Sequence, residues 1–220
     1  FNLQKNAGFF PLDQKNIEKY YDRMYSDIQE VDLLGQFSTL ELNFKKELKN
    51  SKKVWLSQLE PYYFDNPWSK ELEGKKVLVI YPFESSIKKQ YGIREKLFEN
   101  KNVLPKFELK TLKSVQSLGG EKTKYLTWFD ALHSMEKKID KIDFDVAIIG
   151  CGAYGLPLAA YIKRKGKQAI HLGGATQILF GVKGKRWEDR KLKYINKYWI
   201  NPDEKDKPKN FKKVENGCYW

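Results

Sequence analysis

Three glycines close an apolar run at a spacing that suits phosphate chemistry. In "DVAIIGCGAYGLPLAAYIKRKGKQAIHLGG", residues 145–174, Gly150, Gly152 and Gly155 form a G-x-G-x-x-G pattern. After a buried strand, the first two glycines let the backbone turn tightly and approach a pyrophosphate. The third lets the next helix pack against the strand. That helix would offer unpaired N–H groups and a partial positive charge at its start. Pro157 suits such a first turn, where its missing N–H would be unpaired anyway. Three readings stay open: a dinucleotide site, a mononucleotide or nucleotide-sugar site, and a tight turn with no ligand. A dinucleotide site wants an acidic residue about 20 positions on, for the ribose hydroxyls. Here that place reads "AIHLGG" and holds His171.

Other candidates fall at neighbouring strand exits. "YPFESS" puts Glu84, Ser85 and Ser86 at a helix start, where Glu84 is a candidate general base or an ordinary capping residue. "QSLGGEKTKY" (116–125) carries a second glycine pair, and "HLGGAT" (171–176) a third, with Gly173 and Gly174. His171 can hydrogen-bond a diphosphate, a sugar hydroxyl or a backbone carbonyl. His133, inside a helical pattern, reads as an ordinary polar residue. "GVKGKRWEDRK" (181–191) is the one dense basic cluster, with Lys183, Lys185 and Arg186 beside Trp187. Arg186 can grip a phosphate with two parallel hydrogen bonds, and Trp187 can stack on a ring or fill the core.

The elements that must hold these groups follow from periodicity. Asp13 caps a helix whose apolar face is Ile17, Tyr20, Tyr21, Met24, Ile28 and Val31. A second helical stretch is expected over 38–50, then an irregular connection, "VWLSQLEPYYFDNPW". From Gly74 the pattern alternates. Strands are expected near 76–81, 107–112, 145–150 and 168–172, with helices over 84–99, 124–139, 155–165 and from 175. Such alternation predicts an α/β fold: one Rossmann-like domain, a mainly parallel sheet, helices on both faces, and an N-terminal helical segment. The boundaries read as a helical or irregular segment over 1–73, a nucleotide-binding core over 74–200, and a tail over 201–220 whose "CYW" tucks back as an anchor.

Composition narrows the classes. Hydrophobic residues make up 41% of the 220 positions, enough for a packed core. The net charge is +13, which suits an anionic partner, but only five of the 41 basic residues are arginine. The lysines are dispersed and no nucleic-acid module is visible, so no nucleic-acid partner is expected. Cys151 and Cys218 show neither metal nor disulfide spacing and suit a reducing cytoplasm. The first residue is Phe, so the chain is expected to begin inside a longer one.

The 145–187 block, the "EPYYFDNPW" connection, "GKKVLVIYPF" and the "GCYW" end together resemble a family of bacterial proteins from surface-polysaccharide gene clusters. That family is similar to the GT-D class of glycosyltransferases. The resemblance implies transfer of a sugar from a nucleotide-diphosphate sugar to a saccharide or lipid-linked acceptor. It implies a cytoplasmic protein that meets the inner face of the membrane, and a divalent metal (Mn²⁺ or Mg²⁺) at an Asp-x-Glu motif near the N-terminus. Gly150, Gly152, Ala153, Tyr154 and Gly155 match the strand-end nucleotide loop, and His171, Gly173 and Gly174 the next loop. Lys185 and Arg186 would help electrostatically. No Asp-x-Glu occurs in these 220 residues, and the motif is expected upstream of Phe1.

Overall fold

The computed structural model describes residues 2–188 and 192–220, so the end of the basic cluster, Arg190 and Lys191, lies outside the described residues. Helices α1 (Asn2–Ala7) and α2 (Gln14–Ile28) lead into strands β1 (Leu33–Gln36) and β2 (Lys52–Trp55). The core then runs β3 (Lys76–Tyr81), α3 (Glu84–Tyr91), β4 (Glu108–Lys113), α4 (Trp128–Ile139), β5 (Val146–Ile149), α5 (Gly155–Arg164), β6 (Gln168–His171), α6 (Ala175–Leu179) and α7 (Lys185–Glu188). The main sheet is parallel, in the order β4-β3-β5-β6. In register, Val77 faces both Leu109 and Val146, and Ile149 faces His171.

β3 and β5 are covered on both faces, which is why they read as unbroken apolar runs. Val77, Val79, Tyr81, Val146 and Ile148 enter one core layer with Ile87 and Ile178. Leu78, Ile80, Ala147 and Ile149 enter the other with Leu132, Met135, Leu158 and Ile162. So α3 and α6 cover one face, and α4 and α5 the other. Parallel crossovers are right-handed, so moving outward from β3 to β4 and then back past β3 to β5 must change faces. The strand order therefore reverses between β3 and β5, and this switch point opens a crevice outside their carboxyl ends.

Several boundaries differ from the sequence-based expectation. Strand β4 lies one residue later. Helix α3 ends at Tyr91 before Gly92, and only a single turn follows at Arg94–Lys96. Over 38–50 there is no α-helix but a short 3₁₀ segment, Thr39–Phe44, started by the Ser38–Glu41 capping box and followed by turns. It separates β1 from β2, which pair with each other in parallel. Helix α4 begins at Trp128 because Thr127 and Asp130 cap each other reciprocally, at 3.1 Å and 2.9 Å. That start leaves Leu126 89% exposed instead of on the apolar face. Asp13 caps α2, accepting the Asn16 N–H at 2.9 Å, as its spacing predicts.

The tail from Asn201 wraps the carboxyl edge of the sheet in single turns. Trp220 packs between Phe83 and Phe211, with ring centroids 5.7 and 5.9 Å away. Asp206, fully buried, accepts the Ser86 N–H at 3.1 Å and the Ser86 hydroxyl at 2.8 Å. A carboxylate from the tail thus occupies the N-terminus of α3, where the helix leaves its first N–H groups unpaired.

Candidate functional site

A cavity of about 260 Å³ occupies the switch-point crevice. Its floor is the end of β3 and β5, with Tyr81, Gly150 and Cys151. One wall joins Asn6 and Ala7 to the loop after β4, at Ser114–Leu118; the opposite wall joins His171, Gly173 and Gly174 to Tyr219 and Trp220. Ser117 ties the first wall together by donating from Oγ to the Gly8 carbonyl at 2.5 Å. Gln177 ties the second, accepting from Tyr81 at 3.1 Å and donating to the Tyr219 carbonyl at 2.9 Å.

Each glycine of the motif answers to a close contact within the chain. A β-carbon on Gly150 would overlap the Gly173 carbonyl and stand 2.6 Å from the Tyr81 ring. Gly152 has φ +57°, and its α-carbon faces the Ala7 carbonyl, which a β-carbon would meet at 2.8 Å. Gly155 carries the His171 imidazole against its α-carbon. The approach to Gly152 that the phosphate reading assigns to a ligand is taken on that side by α1. Among the described residues the N–H groups of Gly152 and Ala153, in the short turn before α5, make no backbone hydrogen bond, while the Gly155 N–H is donated to the Gly152 carbonyl.

The candidate residues separate into three groups. Gly150, Gly152, Tyr154, His171, Gly173 and Gly174 line the cavity. Ala153 and Gly155 are buried behind the turn. Glu84, Lys185 and Arg186 lie outside the lining. Glu84 accepts from Lys88 Nζ at 2.8 Å and Thr111 Oγ1 at 2.5 Å. Partial burial raises its pKa, but those two donors outweigh it and leave the carboxyl below its ordinary value. Arg186 pairs with Glu215 and donates to Tyr219 Oη at 3.3 Å, its guanidinium 4.8 Å from that ring centre. It braces a wall residue from behind. Trp187 is core, packed beside Gly174 and Tyr219.

Among the described residues the lining contains no Asp, Glu, Lys or Arg side chain. Its polar groups are neutral. Ser114 Oγ and Gln116 Nε2 are buried within the wall and without a partner among the described residues, an arrangement that costs about 1–3 kcal/mol each and that a ligand could complete only if the wall shifted. His171 makes no side-chain hydrogen bond among the described residues. Its ring lines the cavity and packs on Gly155, while the residue as a whole stays exposed. Burial of the ring against its neighbours favours the neutral imidazole and pulls its pKa from 6.5 toward about 4; the residue's exposure to solvent tempers that fall without changing its direction. Burial pushes the Cys151 thiol up, so it is no nucleophile at neutral pH. Tyr81 is raised by burial first and then by Tyr219.

Sequence reasoning missed Asn6, Ala7 and Ser114, and singled out the 116–125 loop for its glycines rather than for Gln116. The first two come from a helix far away in the chain, and Ser114 carries no motif. The metal implied by the resemblance finds no fit. Among the described residues the cavity offers no carboxylate side chain, and no group of three or more His, Cys, Asp or Glu could hold an ion. No protein-family model, curated protein or solved structure matches this chain.

Proposed function

We propose that the switch-point cavity binds a nucleotide-diphosphate sugar, and that the chain is the donor-binding domain of a glycosyltransferase acting on a surface-polysaccharide or glycolipid acceptor. One observation carries the binding reading: a concavity outside the carboxyl ends of β3 and β5, with Ser114 Oγ and Gln116 Nε2 buried in its wall and unpaired. The resemblance of residues 145–187 to GT-D enzymes supports the sugar donor. Ligand pockets run from about 300 to 1,000 Å³, so this cavity takes one ring of such a donor. The diphosphate would then lie at the mouth, beside the Gly152 N–H in the turn before α5. A neutral His171 serves there as a hydrogen-bonding group rather than a counter-charge. The reading assigns no residue of this chain to a metal.

A second reading is a nucleotide-binding assembly protein without catalysis. The uncharged lining favours it, because no carboxylate stands ready to act as general base and Glu84 is engaged elsewhere. A panel of nucleotides and nucleotide sugars, read by thermal shift and by donor turnover, separates the two. A bound donor at about 100 times its dissociation constant adds about 2.7 kcal/mol, or roughly 5–10 °C for a domain of this size. A shift with turnover supports the transferase, and a shift without turnover the assembly protein. No shift with any nucleotide rejects both.

A further inference from the structure

The β1–β2 unit is built unlike the rest of the molecule. Its two short strands pair only with each other, and from residue 33 to 59 the one buried side chain is Leu48. Three large apolar side chains stand out from it: Phe37 is 81% exposed, Trp55 74% and Leu40 69%. Five lysines accompany them, Lys45, Lys46, Lys49, Lys52 and Lys53, against two glutamates, Glu41 and Glu47. All five lysines are exposed, and none is in an ion pair among the described residues. One glutamate is committed locally, since Glu41 accepts the N–H groups of Phe37 and Ser38 at 2.8 and 3.0 Å.

Strand alternation divides these groups between two sides, with Lys52 on the Gly35 side. Residues two apart on a strand share a face, so Lys53 and Trp55 lie on one side with Leu34 and Gln36. The other side is shut by the turn at 56–59, whose Leu56 and Leu59 press on Gly35. Phe44 meets Tyr25 of α2 at 5.6 Å, and Tyr25 and Tyr21, one helical turn apart, are themselves half exposed.

We propose that this unit docks the protein on an anionic lipid surface. Phe37, Leu40 and Trp55 would enter the headgroup layer, and the unpaired lysines would face the lipid phosphates. Protruding aromatic and aliphatic side chains need no shaped partner in a fluid interface, whereas a protein partner would need pockets to receive them. A second copy of the chain would set these lysines against their own equivalents. The lipid surface supplies the missing counter-charge. No helix among the described residues is long and apolar enough to cross a membrane, so the contact is peripheral. The inference stands apart from nucleotide binding.

Co-sedimentation with vesicles tests it, using phosphatidylcholine alone or with about one part in three phosphatidylglycerol. The parent should bind only the anionic vesicles, and less as salt shortens the screening length. Lys49→Glu with Lys53→Glu, and separately Phe37→Ser with Trp55→Ser, should each weaken binding at least tenfold and leave the melting temperature unchanged. Failure to bind anionic vesicles overturns the proposal. So does undiminished binding by the Phe37/Trp55 variant, which would mean charge adsorption alone. Displacement from vesicles by soluble polyglutamate at equal charge would point to an acidic protein, and concentration-dependent dimers lost in the same variants to a second copy; either result overturns it.

Discussion

The His171 imidazole rests on the α-carbon of Gly155, in the space a β-carbon would fill. The motif's third glycine, expected to serve helix-to-strand packing, also makes room for a side chain from the next strand. Gly155→Ala should therefore cost about 1–3 kcal/mol, the usual scale for forcing a methyl into a filled site. His171→Ala should cost less, because its ring is open to the cavity. The double variant should recover most of the Gly155→Ala loss. Urea melts of the four proteins measure that coupling. Purely additive losses would show that the two residues do not press on each other.

His171 should titrate below its ordinary value. Its pKa falls from 6.5 toward about 4, so the folded state binds fewer protons than the unfolded chain in that window. Stability is full above pH 6.5 and declines as the pH falls toward 4. His171→Gln should flatten that limb. An NMR titration of the ring checks it directly. A midpoint at or above 6.5 would show that the ring is fully hydrated.

Gly152 should matter to folding as well as to binding. Its φ of +57° and the Ala7 carbonyl leave no room for a side chain. A left-handed non-glycine residue costs about 1–2 kcal/mol before any clash. Gly152→Val should thus lower the melting temperature and loosen α1, where the bare motif predicts lost affinity in a stable fold. Thermal melts and proteolysis near residue 7 give the readout. An unchanged melt would mean that α1 yields freely.

What was legible in the sequence follows from which forces act locally. β3 and β5 are buried on both faces, so hydrophobicity alone marks them. Asp13 and the strand-end glycines sit where short-range geometry demands them. β1 and β2, by contrast, are "LLGQ" and "KKVW", held by pairing with each other across 15 intervening residues, and nothing local signals it. Residues 38–50 contain good helix formers, but the Ser38–Glu41 box starts only a short 3₁₀ segment. The cavity's glycine floor and the His171–Gly174 part of its wall were readable; the rest was not, because Ala7, Ser114 and Trp220 meet only when the chain is folded.

Asp206 should hold the tail to the sheet edge. Removing its carboxylate leaves the Ser86 N–H and hydroxyl buried without an acceptor, at about 1–3 kcal/mol. Asp206→Ala should lower stability by that much and expose the tail to proteases. Asp206→Asn keeps one acceptor oxygen and should lose less. Equal melts for all three proteins would show that the tail is dispensable to α3.

Arg186 and Trp187 should separate cleanly. Trp187 is 6% exposed within the main core, so Trp187→Ala should cost about 3–5 kcal/mol. Arg186 is partly exposed and stacks on Tyr219, so Arg186→Ala should cost under about 1 kcal/mol in stability. Its effect on a ligand must pass through Tyr219, which lines the cavity while Arg186 does not. Arg186→Lys should not restore the parent, since an ammonium cannot reproduce the planar stack. The decisive comparison sets a nucleoside against its diphosphate in binding to Arg186→Ala. If Arg186 acts by bracing Tyr219, affinity for both should fall by the same factor. A loss confined to the diphosphate would mean that Arg186 turns to meet phosphate when the donor binds.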